Sequence, residues 1–207
     1  VKDNAKNIIS KIKELSNLNS KIIVFPELVL TSYSCEDMFL SNTLISNVYK
    51  GLENILDATK EIDSFIVISS PLLKDNSLYN CAIAIFKGEI LGVVPKEITS
   101  SKESRYFTTY ERNLDYINIF NKKVPFGNNK GNKAICEKFP EKYAWMCSFD
   151  AVNPETVYER MSLYKSQGAI GVGELTINKP LTDPMLQAIF AAAEKLDMPV
   201  TIHMSPE

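Results

Sequence analysis

The chain has 207 residues, of which 45% are hydrophobic and 23% are charged, and this is the composition of an ordinary globular protein with a buried core. Its 23 basic and 25 acidic residues give a net charge of −2, and the two signs are interleaved along the chain. This balance provides no positive surface that would attract nucleic acid or an anionic membrane, so we expect neither as a partner. No apolar run reaches the ~20 residues that a membrane-spanning helix needs.

Four cysteines, at positions 35, 81, 136 and 147, are too sparse for a disulfide framework and form no Cys-x-x-Cys pair. We therefore expect a reducing compartment, the cytoplasm. The chain begins with Val1, already inside a helical pattern, and we expect a segment to precede it.

The first half of the chain alternates helical and strand patterns. Apolar residues recur at helical spacing over Ala5–Leu15, and the apolar run Ile22–Phe25 predicts a buried strand. A helix capped at Ser34 is predicted to continue to about residue 60. A second apolar run, Phe65–Ile68, is followed by two strand patterns that flank Lys87-Gly88 and predict a hairpin. This alternation favours a layered α/β core.

The regular patterns are interrupted between Ile98 and Lys133, where Ser, Asn and Lys are abundant. We therefore predict one domain over residues 1–127, a junction at 128–131 and a second domain over 132–207. In the second domain three strand patterns alternate with two helical ones, and the helices begin at Asn153-Pro154 and Asp183-Pro184. A capping residue followed by proline is typical of a helix start, so consecutive β-α-β units are predicted.

Two ionisable residues of the first domain, Glu27 and Lys96, each follow a predicted buried strand. Strand ends are where α/β sheets usually place their chemistry. A carboxylate and an ammonium in one pocket can act as general base and as stabiliser of an oxyanion, provided that a nucleophile lies between them. Isolated Pro-Glu and Pro-Lys pairs are more often surface charges beside a turn, so the surrounding motifs have to decide.

Those motifs are Ile-Val-Phe-Pro-Glu-Leu at 23–28, Leu-Thr-Ser-Tyr-Ser-Cys-Glu-Asp-Met-Phe-Leu at 30–40, Leu-Tyr-Asn-Cys-Ala at 78–82 and Lys-Gly-Glu-Ile-Leu-Gly-Val-Val-Pro-Lys at 87–96. They closely resemble the nitrilase-like glutaminase domain of glutamine-dependent NAD+ synthetases over about residues 1–127. The resemblance implies a partial αββα sandwich and a Glu/Lys/Cys triad that hydrolyses the glutamine amide through a thioester. It also implies that ammonia passes to a separate synthetase domain, and only that domain would use ATP. On this pattern Glu27 is the general base and Lys96 stabilises the oxyanion.

Three departures from the family pattern concern Ser32, the strand before the first helix and the nucleophile. Ser32 stands where the family usually has glycine, and the strand expected before the first helix is absent. Ile135-Cys136-Glu137-Lys138 is similar to the family's nucleophile motif, but only eight residues separate Gly127 from Cys136, fewer than we expect for the family. We therefore favour a structural helix cysteine at Cys136, and packing roles for the cysteines at 35 and 81.

In the second domain Glu174 and His203 each fall at the end of a predicted strand, and His203 is the single histidine of the chain. The segments 135–143, 168–175, 183–185 and 198–204 resemble the metal-dependent amidohydrolase superfamily, especially its decarboxylase-like branch, over about residues 132–207. The resemblance implies a partial (βα) barrel in which His203 is a metal ligand, for a divalent ion such as zinc, and Glu174 is a rim residue. A catalytic zinc needs about three protein ligands, and a lone histidine is more often a hydrogen-bonded structural residue.

Three interpretations of the whole chain stay open. The first, which we favour, is a hydrolase of C–N bonds that acts on a small molecule, glutamine, and supplies ammonia for NAD+ synthesis. The second is a metal-dependent amidohydrolase or decarboxylase. The third is a non-catalytic fusion or part of a longer protein. Because neither site is complete, we expect little or no turnover, and a homo-oligomer is left open.

Overall fold

Two units, Val1–Gly127 and Asn128–Glu207, make up the computed structural model. It describes residues 1–97, 100–110, 116–138, 140–141, 143–148, 153–175 and 179–202. Within these ranges no helix is both long and apolar enough to cross a bilayer.

A four-stranded sheet covered by two helices forms the main part of the first unit. Strand β1 pairs in parallel with β2, and β3 and β4 add to it in antiparallel fashion in the order β1-β2-β3-β4. A separate hairpin of β5 and β6 completes the unit. The bounds in chain order are α1 (Lys2–Asn17), β1 (Ile22–Val24), a 3-10 segment (Tyr33–Leu40), α2 (Asn42–Ala58), β2 (Phe65–Lys74), β3 (Ser77–Phe86), β4 (Glu89–Pro95), a 3-10 turn (Glu103–Arg105), β5 (Tyr116–Ile119) and β6 (Lys122–Pro125).

The apolar periodicity of the sequence accounts for this core. Residues three and four apart on the helices, and every second residue on the strands, point to one side. Their side chains meet in one cluster between the helices and one face of the sheet, which includes Ile8, Ile12, Val48, Leu52, Ile55, Ile66, Ile68, Tyr79, Ile83 and Ile85. The predicted layered α/β core is confirmed by this arrangement.

The predicted hairpin at Lys87-Gly88 is also present. Both residues have positive φ, 48° at Lys87 and 74° at Gly88, as the two-residue turns that match strand twist require. A Cβ atom at Gly88 would lie 2.8 Å from the backbone oxygen of Leu56, so glycine fits here for reasons of space as well. The turn sets the pairing of Phe86 with Glu89 and of Ile85 with Ile90, and a bulge then shifts the register by one residue, so that Ala84 pairs with Gly92.

The predicted helix start at Ser34 is wrong. Residues 33–40 form a 3-10 segment that is broken by non-helical backbone at Glu36 (φ 46°, ψ −128°), and α2 begins only at Asn42. The spacing of Ser34 and Asp37 is that of a helix cap, but the backbone between them turns away from helical geometry.

Three parallel strands connected by helices form the second unit. The strand order is β7-β8-β9, and helices α4 and α5 connect the strands, so the predicted β-α-β units are confirmed. Asn153 and Asp183 are N-caps, as predicted. The Asn153 side chain accepts a hydrogen bond from the Glu155 N–H, and the Asp183 side chain accepts one from the Met185 N–H. The bounds are α3 (Asn128–Lys138), β7 (Met146–Cys147), a 3-10 turn (Pro154–Thr156), α4 (Val157–Ser166), β8 (Gly171–Leu175), α5 (Pro184–Lys195) and β9 (Val200–Ile202).

Residues 128–131, the predicted junction, form the first turn of α3, which begins directly after the boundary between the two units. Trp145 lies in the core of this unit, with its ring centroid 6.3 Å from that of Tyr164. That the three strands belong to a (βα) barrel stays a prediction, since an open three-stranded sheet shows no closure.

The loop after β1 holds strained backbone at Ser32, where φ is 89° and ψ is 150°. Residues other than glycine rarely adopt this combination of φ and ψ, and the backbone strain of such a residue costs about 1–3 kcal/mol. The Ser32 hydroxyl contacts the Ser34 hydroxyl at 3.2 Å, an exposed interaction that offsets little of that strain.

Replacing Ser32 by glycine is therefore expected to raise the free energy of unfolding by about 1 kcal/mol, after subtraction of the extra chain entropy of glycine. Urea unfolding of the unmutated chain and of the Ser32→Gly variant measures this difference in the free energy of unfolding. Ser34→Gly is the matched control, because it removes the same hydroxyl pair from a residue with φ of −90° and should destabilise. Equal effects of the two substitutions would contradict the strain at Ser32.

Candidate functional site

Lys96 lies between two carboxylates at one end of the first unit's sheet. Its Nζ atom is 2.8 Å from Oε1 of Glu27 and 2.8 Å from Oε1 of Glu103. The structure thus brings Glu27 and Lys96 into direct contact, 69 residues apart in the chain. We call Glu27, Lys96 and Glu103, with the side chains that hold them, the ion-pair cluster.

Strand directions explain why Glu27 and Lys96 meet. Because β2 is parallel to β1 and two antiparallel pairings follow, β4 runs in the same direction as β1. Glu27 follows the end of β1 and Lys96 follows the end of β4, so both residues lie at the same end of the sheet. This is the arrangement that the position of each residue after a buried strand predicted.

The sequence analysis missed Glu103. This residue opens the 3-10 turn Glu103–Arg105 and is only 5% exposed. Its Oε2 accepts from the Ser100 N–H at 3.0 Å and from the Ser100 hydroxyl at 2.8 Å, while the Glu103 N–H donates back to that hydroxyl at 3.3 Å. The spacing Ser-x-x-Glu is that of a capping box, and this was the signal that could have found it.

The protonation states of the cluster follow from these contacts. Burial disfavours the charged form of Glu103, but the hydrogen bonds from Lys96 and Ser100 outweigh it and lower the pKa of Glu103 to about 2. Partial burial also works against the Lys96 ammonium, and the hydrogen bonds to Glu103 and Glu27 nevertheless hold the pKa of Lys96 above its ordinary value. At neutral pH Glu103 is therefore a carboxylate and Lys96 is an ammonium.

Asn80 is the second member of the cluster that sequence reasoning did not assign. It is 4% exposed, its Nδ2 donates to Oε1 of Glu27 at 2.6 Å, and its backbone oxygen accepts from the Lys96 N–H at 2.8 Å. Ser69 donates to Oδ1 of Asn80 at 3.4 Å. Asn80 belongs to the Leu-Tyr-Asn-Cys-Ala motif, which indicated a resemblance but no role for this side chain.

A narrow cleft lies beside Glu103. Its walls are mostly apolar and aromatic, and the rings of Phe39 and Phe107 lie 4.9 Å apart at one side of it. The lining residues are Leu28, Tyr33, Glu36, Phe39, Lys102, Glu103, Tyr106 and Phe107. The cluster can offer a proton acceptor and an ammonium to a small polar group, but it lacks a nucleophile of its own.

The thiols of the first unit are not activated. Burial raises the pKa of Cys81, which is 1% exposed, and desolvation raises the pKa of Cys35 despite partial exposure. In the second unit desolvation also raises the pKa of Cys136, which lies on α3 and packs against that unit's core. This agrees with a structural helix cysteine at position 136.

The predicted metal ligand, His203, directly follows β9 and lies outside the described residues. Glu174 lies in β8, one residue before its end. Among the residues that the structure does describe, no group of three or more His, Cys, Asp or Glu side chains is placed to hold a metal ion. The metal site therefore stays a prediction.

A family model, carbon-nitrogen hydrolase, matches residues 1–128. The fold of the first unit and the Glu27–Lys96 contact lie within that match, and the chain belongs to the carbon-nitrogen hydrolase family.

Among characterised relatives, glutamine-dependent NAD(+) synthetases are the recurrent match. That of Mycobacterium bovis is 31% identical over 109 residues, which is 53% of this chain and 16% of the relative. That of Aquifex aeolicus is 32% identical over 141 residues, or 66% of this chain and 23% of the relative. The chain is thus homologous to the glutaminase part of these proteins and spans less than a quarter of their length.

The solved structures agree at the level of the fold. A glutamine-dependent NAD(+) synthetase from Cytophaga hutchinsonii superimposes with a TM-score of 0.57 at 21% identity, covering 98% of this chain and 33% of that one. The enzyme from Acinetobacter baumannii gives a TM-score of 0.51 at 18% identity over 81% of this chain and 34% of that one. A nitrilase-like α/β fold is therefore shown.

Replacing Glu103 by glutamine is expected to lower the free energy of unfolding by about 2 kcal/mol at pH 7, because hydrogen bonds to a buried charge are lost. The pKa of folded Glu103, about 2, lies below the ordinary glutamate value of about 4.3, so this carboxylate stabilises the fold above that value. The stabilisation is lost as the pH falls towards about 2. Urea unfolding at several pH values should show the two proteins converging.

The exposed Glu53 on α2 provides the control, since Glu53→Gln should leave the stability nearly unchanged at every pH. A difference between the chain and Glu103→Gln that stays constant from pH 7 down to pH 3 would contradict the assigned ionisation of Glu103.

Native alkylation tests the cysteine assignment. With iodoacetamide at pH 7, Cys35 is expected to react no faster than a free cysteine, and Cys81 is expected to react only after unfolding, because the thiolate is the reactive form. Peptide mass spectrometry after timed quenching measures both. Rapid stoichiometric alkylation of either cysteine in the folded protein would identify an activated thiol and overturn the assignment.

Proposed function

We propose that residues 1–127 supply the general base and the oxyanion-stabilising cation of a glutamine-amide hydrolase, with glutamine as the substrate. The observation that carries the proposal is the 2.8 Å contact of Lys96 Nζ with Glu27 Oε1, within a segment that matches the carbon-nitrogen hydrolase family. The glutamine-dependent relatives support the choice of substrate.

Glu27 acts as the base because its carboxylate is accessible. Its side chain is 43% exposed, whereas that of Glu103 is 6% exposed and is fixed by Ser100 and Lys96. In the proposed reaction Glu27 takes the proton of a thiol as sulfur attacks the amide carbon. It returns this proton to the leaving nitrogen when the C–N bond breaks and ammonia departs. Water then releases glutamate from the thioester.

Lys96 stabilises the oxyanion that forms at the amide carbon. An ammonium has three N–H donors, and within the described residues the contacts with Glu27 and Glu103 use two of them, so we assign the third to the substrate oxygen. The raised pKa of Lys96 keeps this group charged at neutral pH. Glu103 holds the ammonium in place from its buried side, so the third donor does not have to be oriented during the reaction.

The thiol is not provided by Cys35 or Cys81, whose pKa values are both raised. We therefore infer that the nucleophile comes from outside residues 1–127. Delivery of the ammonia to an ATP-dependent synthetase domain is part of the same proposal, since the chain spans only 16% of the Mycobacterium bovis relative. The amidohydrolase interpretation of residues 132–207 stays a prediction, because none of the matches described above supports it.

Ammonia release from L-glutamine by the 207-residue chain, followed at high protein concentration because slow turnover is expected, tests the proposal. Glu27→Gln and Lys96→Met are each expected to lower the rate at least a hundredfold, since a positioned base and an oxyanion donor each contribute about 10²–10³ or more. Glu53→Gln, an exposed substitution on α2, is the matched control and should retain the full rate. Release no faster than in buffer, or an undiminished rate in Glu27→Gln, would overturn the proposal.

A further inference from the structure

The proposed reaction uses Glu27 and Lys96 and gives no role to Asn80, the residue that bonds to both. Asn80 is buried near the start of β3. Its side-chain Nδ2 donates to the Glu27 carboxylate, and its backbone oxygen accepts from the Lys96 N–H. No other residue in the described part of the chain is shown to bond to the side chain of one and the backbone of the other. Its position therefore couples the ends of β1 and β4.

Ser69 and Glu27 together set the orientation of the Asn80 amide. An ionised carboxylate can only accept hydrogen bonds, so the NH2 group of Asn80 has to face Glu27. The Ser69 hydroxyl donates to Oδ1 at 3.4 Å from the neighbouring strand β2, and Ser69 is itself only 9% exposed. A flipped amide would place Oδ1 against a carboxylate oxygen, and this contact is repulsive because both atoms are acceptors.

The two oxygens of Glu27 are thereby made unequal. Oε1 accepts from Asn80 at 2.6 Å and from Lys96 at 2.8 Å, and these are the hydrogen bonds that the structure shows on this carboxylate within the described residues. A proton that added to Oε1 would have to displace one of two short, charge-assisted bonds. Oε2 accepts neither of these bonds, and no residue that the structure describes is shown to donate to it.

We propose that Asn80 is the positioning residue for the general base. It holds Oε1 of Glu27 beside the Lys96 ammonium, so that Oε2 is the atom that receives the thiol proton and later gives it to the leaving ammonia. This inference rests on the proposed function of Glu27. Ser69 completes the arrangement because it keeps the amide nitrogen turned towards the carboxylate.

A double-mutant cycle on stability tests the anchoring without any need for turnover. Asn80→Ala, Glu27→Ala and the double variant are unfolded in urea, and we expect a coupling of about tenfold in the unfolding equilibrium constant, the size of one hydrogen bond to a charged group. Asn118→Ala combined with Glu27→Ala is the control, because Asn118 is exposed on β5 and the effects should be additive. Coupling below twofold for Asn80 and Glu27 would overturn the proposal.

Glutamine hydrolysis tests the positioning itself. Asn80→Ala is expected to lower kcat at least tenfold with KM within about threefold, since the bond orients the base and does not bind substrate. Asn80→Asp keeps the shape but places a second carboxyl group 2.6 Å from Oε1. Two carboxylates this close do not both stay ionised at neutral pH, so the acid limb of kcat/KM should move to higher pH.

The control substitution Asn118→Asp, at an exposed residue, should leave the acid limb of kcat/KM at its original pH. Replacing a residue that has only a structural role would not move this limb either. Should Asn80→Ala fail to fold, Ser69→Ala removes only the orienting donor and is expected to lower kcat by about threefold or more. An unchanged kcat together with an unmoved acid limb would overturn the inference. If the unmutated chain hydrolyses no glutamine, the proposed function fails, and the stability cycle alone decides whether Asn80 anchors Glu27.

Discussion

The contact of one ammonium with two carboxylates is the interaction around which the candidate site is built. Lys96 cannot neutralise both Glu27 and Glu103, so one negative charge has to be compensated by other groups in a partly dry environment. Uncompensated burial of such a charge costs several kcal/mol. Ser100 supplies two donors to Oε2 of Glu103, and Asn80 supplies one to Oε1 of Glu27. The neutral donors are thus as necessary to the cluster as the lysine.

The register of the β3–β4 hairpin is what makes this compensation possible. Cys81 pairs with Pro95, and the next residues along, Asn80 and Lys96, are joined by a backbone hydrogen bond of 2.8 Å. Successive side chains of a strand point to opposite faces, so a slip of one residue would turn the Lys96 side chain away from Glu27. A bulge between the turn at Lys87-Gly88 and the site shifts the register by one residue, since Ile85 pairs with Ile90 but Ala84 pairs with Gly92. The orientation of Lys96 towards Glu27 therefore depends on this bulge together with the turn.

How far the sequence predicted this arrangement depends on how local each signal is. Glu27 and Lys96 were predicted because each follows a buried strand, and the helices of the second unit were predicted from the caps at Asn153 and Asp183. The role proposed for Asn80 was not predictable, because its partner Glu27 is 53 residues away and a sequence motif does not say which atom a side chain reaches. The helix start predicted at Ser34 failed for the opposite reason. Its signal was entirely local, a capping residue followed three positions later by an acidic one, and the non-helical backbone at Glu36 prevents a helix from starting there.

The unequal exposure of the Glu27 and Glu103 carboxylates determines which of them can exchange a proton with a bound molecule. Glu103 is almost fully buried and has a pKa of about 2, so it stays ionised throughout the neutral range and serves as a fixed counter-charge. Glu27 has a side chain that is 43% exposed, and the two hydrogen bonds that it accepts within the described residues both fall on Oε1. Since a general base must exchange a proton with a group that arrives from outside, only Glu27 meets the requirement. The buried carboxylate therefore sets the charge and place of Lys96, and the exposed one is left free to react.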